Sequence, residues 1–101
     1  MIASTKFQKA YNELYRCIRE YIWDFNTVNI LADLEIETYK SFPDIDKLQK
    51  HLSDLKRDVS ATDVYDEDEE LKAAFEDFES LLDDTDEIYA SLKTFKKVVV
   101  V

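Results

Sequence analysis

The sequence predicts an all-α fold, a compact bundle of four or five helices without a substantial sheet. The 101 residues include no glycine and one proline, so the residue that tight hairpins and phosphate-binding loops need most is missing. Apolar residues recur every three or four positions along three segments, which is the period of a helix with one buried face. Because 46% of the chain is apolar and 13% is aromatic, we expect residues 1–101 to form a single helical domain around one core.

The first segment predicts a helix that begins after Ser4 and extends towards Phe25. Its apolar stripe comprises Phe7, Tyr11, Leu14, Ile18, Tyr21 or Ile22, and Phe25. Asn26 or Thr27 suits the N-cap of a second helix, which we expect to run to about Lys40. That helix carries apolar residues all around, namely Val28, Leu31, Ala32, Leu34, Ile36 and Tyr39. We therefore expect it to be well buried.

Segment 41–59 predicts the third helix. Pro43 suits its first turn, with Ser41 or Phe42 before it, and Asp44 and Asp46 lie where the helix dipole favours anions. The stripe on this helix comprises Ile45, Leu48, Leu52, Leu55 and Val59.

The C-terminal third predicts one helix or two. Asp66 with Glu69 has the pattern of a capping box, which predicts a helix from about residue 66. Its apolar face comprises Leu71, Phe75, Phe78 and Leu82. Asp84 with Glu87 repeats the pattern, so either one helix reaches about residue 97 or a last helix starts at Asp84. The valines at 98–101 have strand propensity and are compatible with a short extended C-terminal tail.

Charge is distributed unevenly along the chain. The formal net charge is −10, and 13 of the 23 carboxylates lie between Asp63 and Glu87, where Lys72 is the one cation. Residues 1–60 carry 9 cations and 10 acids, a net of −1, whereas residues 61–101 carry 4 and 13, a net of −9. A charge of this sign disfavours nucleic acid and anionic membranes as partners and favours basic protein surfaces.

A helical wheel places the acids of residues 63–87 opposite the apolar face. At about 100° per residue, Glu69, Glu76 and Asp83 lie farthest from that face. Steps of three or four residues advance roughly 5 to 6 Å, on the order of the phosphate spacing along a nucleic-acid strand. The predicted partner-binding residues are Asp66, Glu69, Glu70, Glu76, Asp77, Asp83, Asp84 and Glu87.

The sequence lacks the residues that a metal site or a catalytic site needs. Asp66 to Asp77 superficially has the length of a calcium-binding loop, but Leu71 stands where that loop requires glycine. His51 is the one histidine and Cys17 the one cysteine, too few for a transition-metal site. Cys17 lies near Arg16 and Arg19, so it is either a slightly activated thiol or a half-buried structural cysteine. We expect no enzyme activity, no metal and no cofactor.

Trp23 points away from the first apolar stripe. It either packs on the second helix or forms an exposed binding anchor near Tyr15.

In length, charge and the carboxylate helix over about residues 63–87, the chain resembles the small acidic phage proteins that mimic nucleic acid. Those proteins inhibit restriction or CRISPR effectors, so the resemblance implies an inhibitor that occupies a basic, nucleic-acid-binding cleft. The single cysteine and the lack of a long apolar segment near residue 1 predict a cytoplasmic protein, in the host cell if it is phage-encoded. The resemblance assigns a role to no individual residue. Small acidic helical immunity proteins and antitoxins share the same character. A homo-oligomeric scaffold with a merely solvated acidic face is a further alternative, and a homodimer stays open.

Overall fold

The chain folds into five helices in a computed structural model, which describes the backbone of residues 2–100 and the side chains of residues 6–85. The elements are α1 (Ile2–Ile18), α2 (Phe25–Thr38), α3 (Ile45–Ser60), α4 (Val64–Glu67) and α5 (Glu69–Val100). The described backbone contains no strand. The all-α prediction is therefore confirmed.

The four long helices form a square in cross-section. The first helix packs against α2 and α5, and α3 also packs against α2 and α5. Within the described backbone, neither α1 and α3 nor α2 and α5 are in contact, so these two pairs occupy the diagonals. The short α4 follows α3 and precedes α5 in the chain, and it packs against both of them. Helix α2 is thus on the opposite side of the bundle from α5.

The core is built from the apolar stripes that the sequence predicts for α1, α3 and α5. Phe7, Leu14, Leu48, Leu55, Phe75 and Phe78 are among the side chains with almost no exposed surface. Each stripe repeats every three or four residues, so one face of each helix enters the core and the opposite face stays in water.

The first helix ends at Ile18, seven residues before the predicted limit at Phe25. The indole Nε1 of Trp23 donates a hydrogen bond of 2.8 Å to the carbonyl oxygen of Ile18. The same oxygen also accepts the backbone N–H of Tyr21 at 3.1 Å, so two donors from the turn after α1 meet the last carbonyl of the helix. The chain then turns, and Ile22 and Phe25 are exposed instead of continuing the buried stripe.

Helix α2 is not buried on all sides, and this prediction was wrong. Leu34 is its one fully buried apolar residue in the described core, with Ile30 and Leu31 half-buried beside it. Val28, Ala32, Ile36 and Tyr39 are exposed. The helix has apolar residues on two opposite sides, and packing against α1 and α3 covers one of them.

The helix starts differ from the sequence prediction. Helix α1 begins at Ile2 and not after Ser4. Asp24, rather than Asn26 or Thr27, caps α2, because its Oδ1 accepts the backbone N–H of Thr27 at 2.9 Å. Asp44 caps α3 by accepting the N–H groups of Asp46 and Lys47. Pro43 therefore precedes α3 and is not in its first turn. In both cases the capping bond is made by an aspartate a few residues from the position that the sequence suggested.

The acidic stretch, residues 63–87, forms the short helix α4 and the first part of the long helix α5. Asp68 caps α5, since its Oδ1 accepts the N–H of Leu71 at 3.1 Å, and the predicted capping box of Asp66 with Glu69 is wrong. Helix α5 passes through Asp84 without a break and reaches Val100. Residues 98–100 are therefore helical and not an extended tail, and Val101 lies outside the described residues.

Candidate functional site

The solvent side of α5 carries a surface of carboxylates, as the helical wheel predicts. Glu69, Glu70, Glu76, Asp77, Asp83 and Asp84 are all exposed. Glu69, Glu76 and Asp83 recur every seven residues, which spaces them about 10 Å apart along the axis. Glu70, Asp77 and Asp84 form a second row beside them. We call these six residues the carboxylate face.

The two edges of α5 are tied to neighbouring helices by ion pairs. On the α1 side, Arg16 Nη2 lies 3.4 Å from Glu70 Oε2. On the α3 side, Lys56 Nζ lies 2.9 Å from Glu79 Oε1, and this bond raises the pKa of the Lys56 ammonium. Among the described side chains, the other five members of the carboxylate face form no ion pair. Negative charge is therefore neutralised at the edges and left open at the centre.

The one cation within the acidic stretch is directed away from the centre of this face. Lys72 Nζ lies 5.6 Å from the centre of the Tyr65 ring, and Lys56 Nζ lies 5.9 Å from the same ring. These are cation–π distances. Ala73 and Ser80 are exposed between the acids and bring no charge of their own. The centre of the face is consequently uninterrupted by a positive group.

Two predicted site residues stand apart from this face. Asp66 is exposed but belongs to α4, which the non-helical Asp68 separates from α5. It is therefore not in the helical row that the sequence predicted. The side chain of Glu87 lies outside the described residues, so its place in the row is still a prediction.

A second surface, which the sequence interpretation missed, lies on α2. Phe25, Val28, Ala32, Ile36 and Tyr39 follow one another at spacings of three and four residues and are all exposed. We call these five residues the α2 stripe. The spacing was visible in the sequence, but the apolar residues on the other side of α2 suggested complete burial instead.

An open groove of about 500 Å³ lies between the α1–α2 loop and the end of α3. Trp23 forms part of its wall and is half-buried against the core, with its ring edge-on to Tyr21 at 6.0 Å. The alternative that Trp23 is an exposed anchor is therefore wrong. Across the groove, Asn26 Nδ2 donates to Asp58 Oδ2 at 2.6 Å. This bond links the start of α2 to α3.

Cys17 and His51 are placed as structural residues. Cys17 is 2% exposed, and burial raises the pKa of its thiol, although the nearby Arg16 acts in the opposite direction. The alternative of an activated thiol is therefore wrong, because a thiol needs a lowered pKa and access to solvent to react. His51 is half-buried on α3. Within the described side chains, no three His, Cys, Asp or Glu groups come together as a metal ion would require.

None of the helices in the described part of the chain combines the length and the apolar composition that crossing a membrane requires. Neither protein-family models, nor curated proteins, nor solved structures include a match to this chain. The function is therefore inferred from the geometry and charge of the chain itself.

Proposed function

We propose that this chain is a non-enzymatic binding protein whose carboxylate face occupies a basic cleft on another protein. The cleft is one that ordinarily binds nucleic acid, and the chain blocks it by competition. It would thus act as a nucleic-acid mimic, in the manner of the phage inhibitors of restriction or CRISPR effectors that it resembles. The observation that carries the proposal is the pairing pattern on α5, in which charge is neutralised at the edges and left unpaired at the centre.

Concentrating carboxylates on one helix lowers its stability, and this favours a binding role over simple solvation. Like charges three or four residues apart on a helix destabilise it by a few tenths of a kcal/mol per pair. Glu79 lies three residues after Glu76 and four before Asp83, so these like charges repel one another. Solubility requires a net charge but not its concentration on one helix, because residues 1–60 are almost neutral.

Binding through this face would be fast and sensitive to salt. Long-range attraction between opposite charges raises association rates by about 10- to 1,000-fold. Exposed charges are screened over about 8 Å at physiological ionic strength. The helix is held against α1 and α3 through its buried face, so the backbone that carries the carboxylates is ordered before the partner arrives and only side-chain entropy is lost on this side of the interface.

The test is a pull-down from the native host at low and high salt, with two variants of equal charge. In the first, Glu69→Gln, Glu76→Gln and Asp83→Asn neutralise the outermost row. In the control, Glu20→Gln, Asp33→Asn and Asp46→Asn neutralise three exposed acids outside α5. The α5 variant should fold at least as well as the parent, because repulsion is relieved, and should lose the partner, whereas the control should keep it.

The captured protein should bind nucleic acid, and the purified chain should compete with that nucleic acid for it. Extending the substitutions to Asp77→Asn and Asp84→Asn should abolish the competition. If the α5 variant retains its partner as tightly as the control does, the mimicry proposal is wrong. The carboxylate face would then be a solvated surface, and an immunity-protein or antitoxin role through an apolar face would gain support.

A further inference from the structure

The exposed apolar side chains of this protein are concentrated around one helix. Of the eight large hydrophobic residues found exposed among the described side chains, six lie between residues 22 and 42. Phe25 is 86% exposed and Ile36 is 63% exposed. A concentration of exposed apolar side chains of this kind is typical of an interface.

The exposed apolar residues around α2 are arranged symmetrically about Ala32. Apolar residues stand at equal distances before and after Ala32, and the two inner pairs are matched in kind, aliphatic with aliphatic and aromatic with aromatic. The pairs are Val28 and Ile36 at four positions, Phe25 and Tyr39 at seven, and Ile22 and Phe42 at ten. In an isologous dimer centred on Ala32, each member of a pair would face the other member on the second copy, so every such contact would be apolar on both sides.

We propose that the α2 stripe binds a second copy of this chain, α2 against α2, about a two-fold axis that passes beside Ala32. The proposal does not depend on the function proposed for α5.

Helix-packing geometry supports a close approach at Ala32. Val28, Ala32 and Ile36 lie four residues apart and form one ridge along α2, and two such ridges pack side by side when helices cross at about 50°. Alanine at the crossing point permits a short distance between the helix axes. Tyr39 is held in place for this contact, because its hydroxyl donates to Asn12 Oδ1 at 2.7 Å and its ring stands edge-on to Tyr11 at 6.2 Å.

The exposed apolar area is close to what a stable dimer needs. Phe42 is 78% exposed and Ile22 is fully exposed, and they flank the two ends of α2. At about 150–250 Å² of surface for each aromatic side chain, Phe25, Tyr39 and Phe42 expose roughly 300–500 Å². The three aliphatic residues raise the exposed apolar area to roughly 700 Å². Each partner of a standard interface contributes about 800 Å².

The position of α2 in the bundle makes such a dimer compatible with the charge of the chain. Each copy carries a net charge of −10, which opposes association. Helix α2 is diagonal to α5 and makes no contact with it in the described backbone. A dimer through α2 therefore places the two carboxylate faces on its outer sides, far from each other and free for another partner.

The first test is sedimentation equilibrium of the full chain from about 1 μM to about 1 mM, a range that covers weak and moderate interfaces. The average mass should rise from 11.9 kDa to twice that value, and the dimer should become tighter as salt is added, because screening weakens the repulsion. This salt response is opposite to that expected for the complex with a basic partner, so the two proposals succeed or fail separately.

Two pairs of matched substitutions locate the interface. Ala32→Glu places a charge at the centre of the α2 stripe and should abolish the dimer, whereas Ala73→Glu makes the same change at an exposed alanine of α5 and should leave it intact. Ala32→Cys should form a disulfide-linked dimer much faster than Ala73→Cys, since the two copies of residue 32 would have Cα atoms about 4 to 6 Å apart.

Circular dichroism would verify that each variant is folded, and the cysteine pair reports on the interface even if Ala32→Glu is not. A parent chain that stays monomeric over the whole concentration range would overturn the proposal. So would equal rates of cross-linking for Ala32→Cys and Ala73→Cys.

Discussion

Glu37 Oε2 accepts a hydrogen bond of 3.0 Å from the backbone N–H of Asp44, across the loop that joins α2 to α3. Glu37 is 4% exposed, and its other carboxylate oxygen accepts from Lys40 Nζ at 3.0 Å. Asp44 itself caps α3. One buried carboxylate therefore ties the end of α2 to the residue that starts α3, and this sets the position of the two helices relative to each other.

Replacing Glu37 should destabilise the protein. Glu37→Ala removes the acceptor of the Asp44 N–H, and a hydrogen bond to a charged group contributes about 1.5 to 3 kcal/mol. Glu37→Gln keeps an acceptor and should cost less. Urea denaturation provides the free energies of unfolding, with Asp33→Ala, an exposed change on the same helix, as the control. Equal stability of Glu37→Ala and Asp33→Ala would show that the loop does not depend on this bond.

The same carboxylate should make stability depend on pH. Burial by itself raises the pKa of Glu37, but the hydrogen bond from Asp44 and the ammonium of Lys40 outweigh it and hold the pKa below its ordinary value of 4.5. A group whose pKa is lowered on folding stabilises the native state above its unfolded pKa, and this contribution is lost as the pH falls through the folded pKa.

The difference in unfolding free energy between the parent and Glu37→Gln should therefore shrink as the pH is lowered from about 6 to about 3. Repulsion on the carboxylate face changes equally in both proteins and cancels from this difference. A difference that stays constant over the range would contradict the role assigned to the charge of Glu37.

Asp68 should matter for stability far more than its neighbour Asp66. Asp68 Oδ1 accepts the N–H of Leu71, and its Oδ2 accepts the hydroxyl of Tyr21 at 2.6 Å. The second bond raises the pKa of Tyr21 to about 12 and helps to lower the pKa of Asp68. Losing an N-cap costs about 1 kcal/mol. Asp68→Ala should lower the melting temperature by several degrees, and Asp66→Ala should leave it nearly unchanged.

Spectrophotometric titration of the tyrosines checks the link between Asp68 and the α1–α2 loop independently of stability. Asp68→Asn should move one tyrosine to a lower pKa, and Tyr21→Phe should remove that transition. If Asp66→Ala proves as destabilising as Asp68→Ala, the capping assignment is wrong.

Cys17 should react slowly with thiol reagents in the native protein. The side chain is buried among the residues of the core, and burial raises the pKa of the thiol, so both access and the thiolate fraction are reduced. Reaction with an aromatic disulfide reagent should become fast once denaturant unfolds the chain. A native rate close to the denatured one would mean that Cys17 is accessible after all.

The sequence alone determined the helices and the inward faces of three of them. In α1, α3 and α5 the apolar residues lie on one side only, so a single orientation buries them and leaves the charged residues in water. Leu48, Leu55 and Phe75 could for this reason be assigned to the core, and Glu76 and Asp83 to the surface, from spacing alone. The carboxylate face follows from the same pattern.

Tertiary structure decided the orientation of α2 and the limits of the helices. Helix α2 has Leu34 on one side and Ile36 on the other, and local spacing has no preference between two apolar sides. The choice depends on which side meets α1 and α3. The end of α1 likewise depends on Trp23 folding back onto Ile18, and the start of α5 depends on Asp68 accepting from both Leu71 and Tyr21. At α5 the hydrogen bond from Tyr21, which is distant in the chain, favours Asp68 over Asp66 as the capping residue, because one side chain must reach both donors.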